Sequence, residues 1–181
     1  YYGGNSTYVD FAGPSGNLKV TQIFSSLTGF AAVRNDGTVV SWGYYGSYGV
    51  DFNGPYDNLR VVQISSTYNA YAALRNDGSV VSWGNASEGG SSSSVDFNGP
   101  SDTLSVTQIF SSERAFAALR NDGSVVTWGD AGYGGSSSAV DFNGSDDKLI
   151  VTQISSTRYA FAGLRNDGSV VSWGHSSYGG N

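Results

Sequence analysis

Short β-branched and aromatic runs alternate with clusters of Gly, Ser, Asn and Asp along the chain, and apolar residues do not fall at helical spacing. Residues 61–65 (Val-Val-Gln-Ile-Ser) are short, β-branched and bounded by turn formers, which predicts a strand. Residues 70–75 (Ala-Tyr-Ala-Ala-Leu-Arg) predict the next one. Asn76-Asp77-Gly78 then reads as a hairpin turn in which the glycine supplies a positive φ, and residues 79–83 complete the hairpin. Alternation puts Val81 and Trp83 on one side of this strand and Val80 on the other. A short fourth strand is expected around Val50-Asp51-Phe52.

The pattern is written four times. Arg-Asn-Asp-Gly begins at Arg34, Arg75, Arg120 and Arg165, so the hairpin glycines are Gly37, Gly78, Gly123 and Gly168. Trp-Gly follows at Trp42, Trp83, Trp128 and Trp173, and Val-Asp-Phe occurs at Val9, Val50, Val95 and Val140; every marker steps by 41, 45 and 45 residues. The chain therefore reads as a single repeat domain, 1–181, with units at about 9–49, 50–94, 95–139 and 140–181. Residues 1–8 belong to the preceding inter-unit segment.

Three or four short strands in about 45 residues, ending in Trp-Gly, is the pattern of a propeller blade. The expected fold is all-β, with four propeller-type blades forming a closed four-bladed ring or an arc of a larger propeller. A β-helix is the main rival, but its coils are usually shorter and lack a tight Asp-Gly hairpin. The tryptophans are expected to pack between neighbouring blades. Each repeated arginine is expected to meet a nearby carboxylate or carbonyl. The small pairs Ala31-Ala32, Ala72-Ala73, Ala117-Ala118 and Ala162-Gly163 are expected near a crowded central axis. Tyr2-Gly3-Gly4 matches Tyr178-Gly179-Gly180, as for a ring whose ends meet or a piece of a longer array; the lack of Met favours the piece.

Composition narrows the function. Glycine supplies 26 of 181 residues and charged residues only 13%, yet aromatics also reach 14%, enough to build a core. The absence of Cys excludes disulfides, thiolate metal sites and cysteine nucleophiles, and a single His, His175, argues against His-based metal sites and triads. A formal charge of −6 argues against nucleic acid and anionic membranes as partners. No apolar run approaches the roughly 20 residues of a membrane-spanning helix. Nearly every Asp recurs in each unit, as turn formation predicts, whereas catalysis needs an asymmetric constellation. The chain is therefore not expected to be an enzyme.

The succession Val-Thr-Gln-Ile, Ala-Phe-Ala-Ala-Leu-Arg-Asn-Asp-Gly-Ser-Val-Val-Ser-Trp-Gly and Tyr-Gly-Gly resembles the repeat of the regulator of chromosome condensation family, four times over nearly the whole chain. The resemblance implies propeller blades, seven in the family's complete rings. The family's His position is occupied here by Gly29, Ala70, Ala115 and Ala160, and the exchange-factor loops of its founder have no match, so the blade carries over and the exchange activity does not. The Ser/Asn/Gly-rich, Lys-poor unit is also similar to repeat arrays of large bacterial surface or secreted proteins.

Two groups of residues stand out as candidate sites. Asp51, Asn53 and Asp57 place three oxygen-bearing side chains over seven residues, and Asp96, Asn98 and Asp102 repeat this, as do Asp141, Asn143 and Asp147. Calcium accepts such clusters, and no other cofactor is expected. The first unit, with Ala12 and Gly16 at the later positions, lacks the pattern, and Asp-rich turns form without a metal. The second group comes from comparing the copies: strands barely change, while the loop before the Ala-rich strand and the segment after Trp-Gly diverge. Tyr68, Arg114, Arg158 and Tyr159 are the candidate partner-binding residues, since Tyr and Arg dominate interface energetics. The resulting expectation is a non-enzymatic extracellular or cell-surface repeat module with a structural, spacing or adhesive role. Its partners are protein or glycan surfaces, or further copies of the same repeat. A carbohydrate-binding propeller lectin and an intracellular exchange-factor-like scaffold are the alternatives.

Overall fold

A computed structural model describes residues 5–46, 50–54 and 58–180. Each unit forms one antiparallel sheet of three strands in chain order. Blade 1 comprises β1 (Val20–Ser25), β2 (Gly29–Arg34) and β3 (Val39–Gly43), and blade 2 comprises β4 (Val61–Ser66), β5 (Ala70–Arg75) and β6 (Val80–Gly84). Blade 3 is β7 (Val106–Ser111), β8 (Ala115–Arg120) and β9 (Val125–Gly129); blade 4 is β10 (Val151–Ser156), β11 (Ala160–Arg165) and β12 (Val170–Gly174). A bulge early in the first strand of every blade places an extra residue opposite the repeated arginine, as Val62 does beside Val61.

The expected fourth strand is not formed. At Val50-Asp51-Phe52 the Asp51 carboxylate accepts the backbone N–H groups of Asn53 and Gly54, both at 2.9 Å. A short acceptor side chain thus satisfies donors that a strand would have offered to a neighbour. The hairpins follow expectation. In blade 2, Gly78 has φ +83°, its N–H donates to the Arg75 carbonyl at 3.0 Å, and Asp77 accepts both the N–H and the hydroxyl of Ser79.

Strand alternation gives each blade two different apolar faces. On β5, Ala70, Ala72 and Leu74 face blade 3, while Tyr71 and Ala73, together with Ile64 and Trp83, face blade 1. Three seams result, each joining the alanine-bearing face of one blade to the tryptophan-bearing face of the next. Trp83, Trp128 and Trp173 are buried in them, whereas Trp42, on the blade-1 face with no described blade beyond it, is half-buried. Each indole is stacked on the aromatic of its middle strand and met edge-on by the Phe of Val-Asp-Phe. For Trp83 these partners are Tyr71 at 5.1 Å and 14° and Phe52 at 5.0 Å and 84°.

The alanines do not line the axis. The strands that meet from blade to blade are the first ones, β1, β4, β7 and β10, so the Val-Thr-Gln-Ile strand is innermost. At this hub the Gln63 side chain grips the Ile109 backbone, accepting its N–H at 3.1 Å and donating to its carbonyl at 2.6 Å. The Ala-rich strand is the middle one. Its alanines fit there because both faces of the strand are packed.

The four blades form an open arc, and the closed-ring alternative fails on burial. Ile64, Ile109 and Ile154 are buried in seams, but their blade-1 counterpart Ile23 is 63% exposed. At the other end Leu164 is exposed where Leu74 and Leu119 are buried, and Val170 is 63% exposed. The expected match between Tyr2-Gly3-Gly4 and Tyr178-Gly179-Gly180 falls partly outside the described residues.

Candidate functional site

The sheet topology sorts the sequence into two ends. The constant Arg-Asn-Asp-Gly hairpins and Val-Asp-Phe turns share one end of the blades. There Arg75 donates from Nε to the Phe52 carbonyl at 3.0 Å, from Nη1 to the Ser79 hydroxyl at 3.3 Å, and from Nη2 to the Asp51 carbonyl. Arg34, Arg120 and Arg165 do the same in their blades. The guanidinium fork fastens the Val-Asp-Phe turn, and through it the Phe that closes over Trp. These arginines are spent on backbone carbonyls. Burial pushes the Asp77 carboxyl up, but the Ser79 hydroxyl and N–H, its own N–H and the Arg75 charge outweigh this and leave it below the ordinary value. Asp36 and Asp122 are lowered by the same balance.

The candidate calcium residues lie at this end as well. Asp96 and Asp141 each accept two backbone N–H groups as Asp51 does, while Asn53, Asn98 and Asn143 donate to the carbonyls of Leu59, Leu104 and Leu149 at 3.1 Å. Asp102 and Asp147 occupy turns at φ +51°, and Asp57 lies outside the described residues. Among the described residues no group of three or more His, Cys, Asp or Glu converges as a metal would require.

The variable segments lie at the opposite end. After each of the last three Trp-Gly pairs comes a 3-10 turn, at Ala86–Glu88, Ala131–Tyr133 and Ser176–Tyr178. Asn85, Asp130 and His175 cap these turns by accepting a backbone N–H two residues on. Asp130 N–H in turn donates to the Arg114 carbonyl at 2.9 Å, which ties the turn to the loop between β7 and β8. Those inter-strand loops are also stitched across the seams: Leu27 N–H donates to Tyr68 O at 2.9 Å, Tyr68 N–H to Glu113 O at 2.6 Å, and Glu113 N–H to Arg158 O at 3.0 Å.

This ladder gathers all four candidate partner-binding residues on one surface. The Arg114 guanidinium lies 6.0 Å from the Tyr68 ring centroid and 5.2 Å from that of Tyr133. Tyr133 reaches Tyr159 at 5.2 Å, and Tyr159 stacks on Tyr178 at 4.4 Å and 24°. Arg158 lies over the Tyr159 ring at 5.1 Å and is paired with Glu113, whose second oxygen is 3.7 Å from Arg114 Nε. His175 packs against Tyr159 and Tyr178. The result is a strip of tyrosines and arginines across blades 2, 3 and 4, fixed from below by backbone hydrogen bonds.

Glu113, Tyr133, His175 and Tyr178 belong to this strip but were not among the candidates. Their signal was present, because each lies in a segment that varies between copies. What linear order conceals is that the loop before the middle strand and the segment after Trp-Gly are neighbours. They become so because the start of the middle strand pairs with the end of the third, Ala115 opposite Gly129.

Residues 61–89 and 151–179 match the family model described as Regulator of chromosome condensation (RCC1) repeat. These two stretches carry RCC1 repeats. Both matched stretches run from the innermost strand through Trp-Gly into the 3-10 turn. Among solved structures, human WBSCR16 is similar at 21% identity and a TM-score of 0.58, over 86% of this chain and 48% of that one. Prp20p from Saccharomyces cerevisiae, studied with its binding to Gsp1p and histones, is similar at 21% and 0.58, over 88% and 44%. The entire ectodomain of the Physcomitrella patens receptor kinase CR4 is similar at 20% and 0.56, over 98% and 47%. These likenesses show the RCC1-type propeller fold, and the chain spans less than half the length of each structure. A search of curated proteins returns no match.

Proposed function

We propose that this RCC1-repeat arc is a non-enzymatic binding module whose partner, a protein, docks on the strip formed by Tyr68, Arg114, Tyr133, Arg158, Tyr159 and Tyr178. The observation that carries the reading is the segregation of the molecule. Seam residues are nearly constant between copies, and although positions such as Arg60, Ser105 and Ile150 vary at the hairpin end, the residues that differ at the other end converge as a continuous Tyr/Arg surface. Tyrosine and arginine supply large contact area and directional donors, the chemistry of interface hot spots. The backbone ladder beneath them limits the ordering cost of binding. The non-enzymatic part is supported by the repeated aspartates, which accept backbone N–H groups in every unit as turn formers. An extracellular or cell-surface setting, part of the same proposal, is supported by an acidic, weakly charged surface rich in Ser and Asn.

The experiment is a partner screen with purified protein arrays, run beside a glycan array. Binders are then retested against Arg114→Ala and Tyr159→Ala, with Asp96→Ala at the opposite end as control. A protein ligand lost in both strip variants and retained by the control supports the proposal. Ligands that bind both strip variants unchanged refute the location. Glycans lost in the strip variants would instead make this the lectin.

A further inference from the structure

The two ends of the arc are the two halves of a seam. At the blade-1 end the exposed face carries Ile23, half-buried Phe30 and Trp42, the counterparts of Ile64, Tyr71 and Trp83, which pack on the preceding blade in seam 1. At the blade-4 end the exposed face carries Leu164 and Val170, the counterparts of Leu74 and Val80, which receive blade 3 in seam 2.

Polar groups repeat the complementarity. In every internal seam the carbonyl of the hairpin glycine accepts an N–H from the next blade: Gly37 from Val61 at 3.0 Å, Gly78 from Val106 at 3.1 Å, and Gly123 from Val151 at 3.1 Å. Gly168, the fourth hairpin glycine, has open space beside it, where its counterparts abut Arg60, Ser105 and Ile150. The Val20 N–H at the other end is the donor of matching position. The loop ladder is likewise unfinished, with the Arg158 N–H next in line at one end and the Leu27 carbonyl at the other.

We propose that a second copy of this chain docks head to tail on the arc, the Ile23–Trp42 face of one copy packing on the Leu164–Val170 face of the other. The contact is a fourth seam of the kind already present three times. Two copies bring eight blades together, within the roughly four to eight with which propellers close. A head-to-tail contact closes into a ring when the rotation per copy permits it.

The test is the mass in solution of the 181-residue chain, measured by light scattering, for Ile23→Glu, Val170→Glu and their equimolar mixture. Both sites are 63% exposed in the single chain, so the substitutions leave each arc folded, as circular dichroism verifies. The chain itself is expected at twice 18.9 kDa. Each variant puts an unpaired carboxylate into every seam between copies and is expected to weaken association at least about 100-fold. The mixture restores one seam, because the intact end of one variant meets the intact end of the other, while both carboxylates fall in the second seam; it is expected to pair more tightly than either variant alone and less tightly than the unsubstituted chain. A chain that stays at 18.9 kDa up to about 100 μM overturns the proposal, including the case in which further repeats of a longer polypeptide cover these faces. Variants that pair as tightly as the unsubstituted chain, or a mixture that pairs no more tightly than either variant alone, overturn it equally.

Discussion

Val61 and Val62 offer a controlled test of the seams, because they are neighbours of one residue type on one strand. Val61 is 5% exposed and belongs to the core between blades 1 and 2, whereas Val62, the extra residue of the bulge, is 56% exposed. Val→Ala removes the equivalent of two methylenes, about 0.8 kcal/mol each when buried. At Val61 the cavity left in a packed seam adds to this, for a total of about 2–3 kcal/mol. At Val62, less than half buried and without a seam to empty, about 0.5 kcal/mol is expected. For a domain of this size these figures correspond to Tm losses of about 4–12 °C and about 1–2 °C respectively. The assay is thermal and urea unfolding followed by both far-ultraviolet circular dichroism and tryptophan emission. Coincidence of the two probes checks that the blades unfold together, since repeat arrays can lose that cooperativity. Equal losses at the two positions, or a larger one at Val62, would refute the assignment of the first strand's faces.

Other expectations follow from the opposite end and from the turns. Arg120→Ala removes the donors to Phe97 O and the Asp96 carbonyl and frees the Val-Asp-Phe turn, costing about 2 kcal/mol in urea unfolding; Arg120→Lys recovers less than half, because an ammonium cannot reproduce the fork. Gly89→Ala forces a side chain into φ +94° with Phe116 2.5 Å from the new carbon, and is expected to lower Tm by more than the same change at Gly179, which has φ +92° and open space beside it. Asp36, Asp77 and Asp122 are held below the ordinary 3.8, so the stability they add is present above that pH and is lost as pH falls through their folded values. Melting temperatures should hold steady from about pH 7 to 5 and fall below about pH 4. Ser124→Ala, which removes a donor to Asp122, should make that acid loss shallower.

The strands, hairpins and seam tryptophans were legible because each is a local pattern repeated four times: period-two alternation, Asp-Gly at a fixed step, and one large aromatic per unit. Val-Asp-Phe misled because its β-branched and aromatic residues favour a strand, while the intervening Asp redirects the backbone N–H groups of Asn53 and Gly54 to its own carboxylate. The alanines misled for a different reason. Small size signals crowding but not its direction, and Ala72 and Ala117 are crowded by neighbouring sheets rather than by an axis. Tyr68, Arg114, Arg158 and Tyr159 were identified by divergence between copies. Their joining with Glu113, Tyr133 and Tyr178 depends on seam geometry, which no single unit contains.

Native-state amide exchange tests the central claim, that the units pack side by side as blades of one arc. The N–H groups of Leu27, Tyr68, Glu113, Val61, Val106 and Val151 donate to carbonyls of a neighbouring blade. Their slow exchange, close to that of the middle strands, is the predicted result. Rapid exchange at these six positions with protected strands would mean four independent sheets on a string, and would contradict the arc.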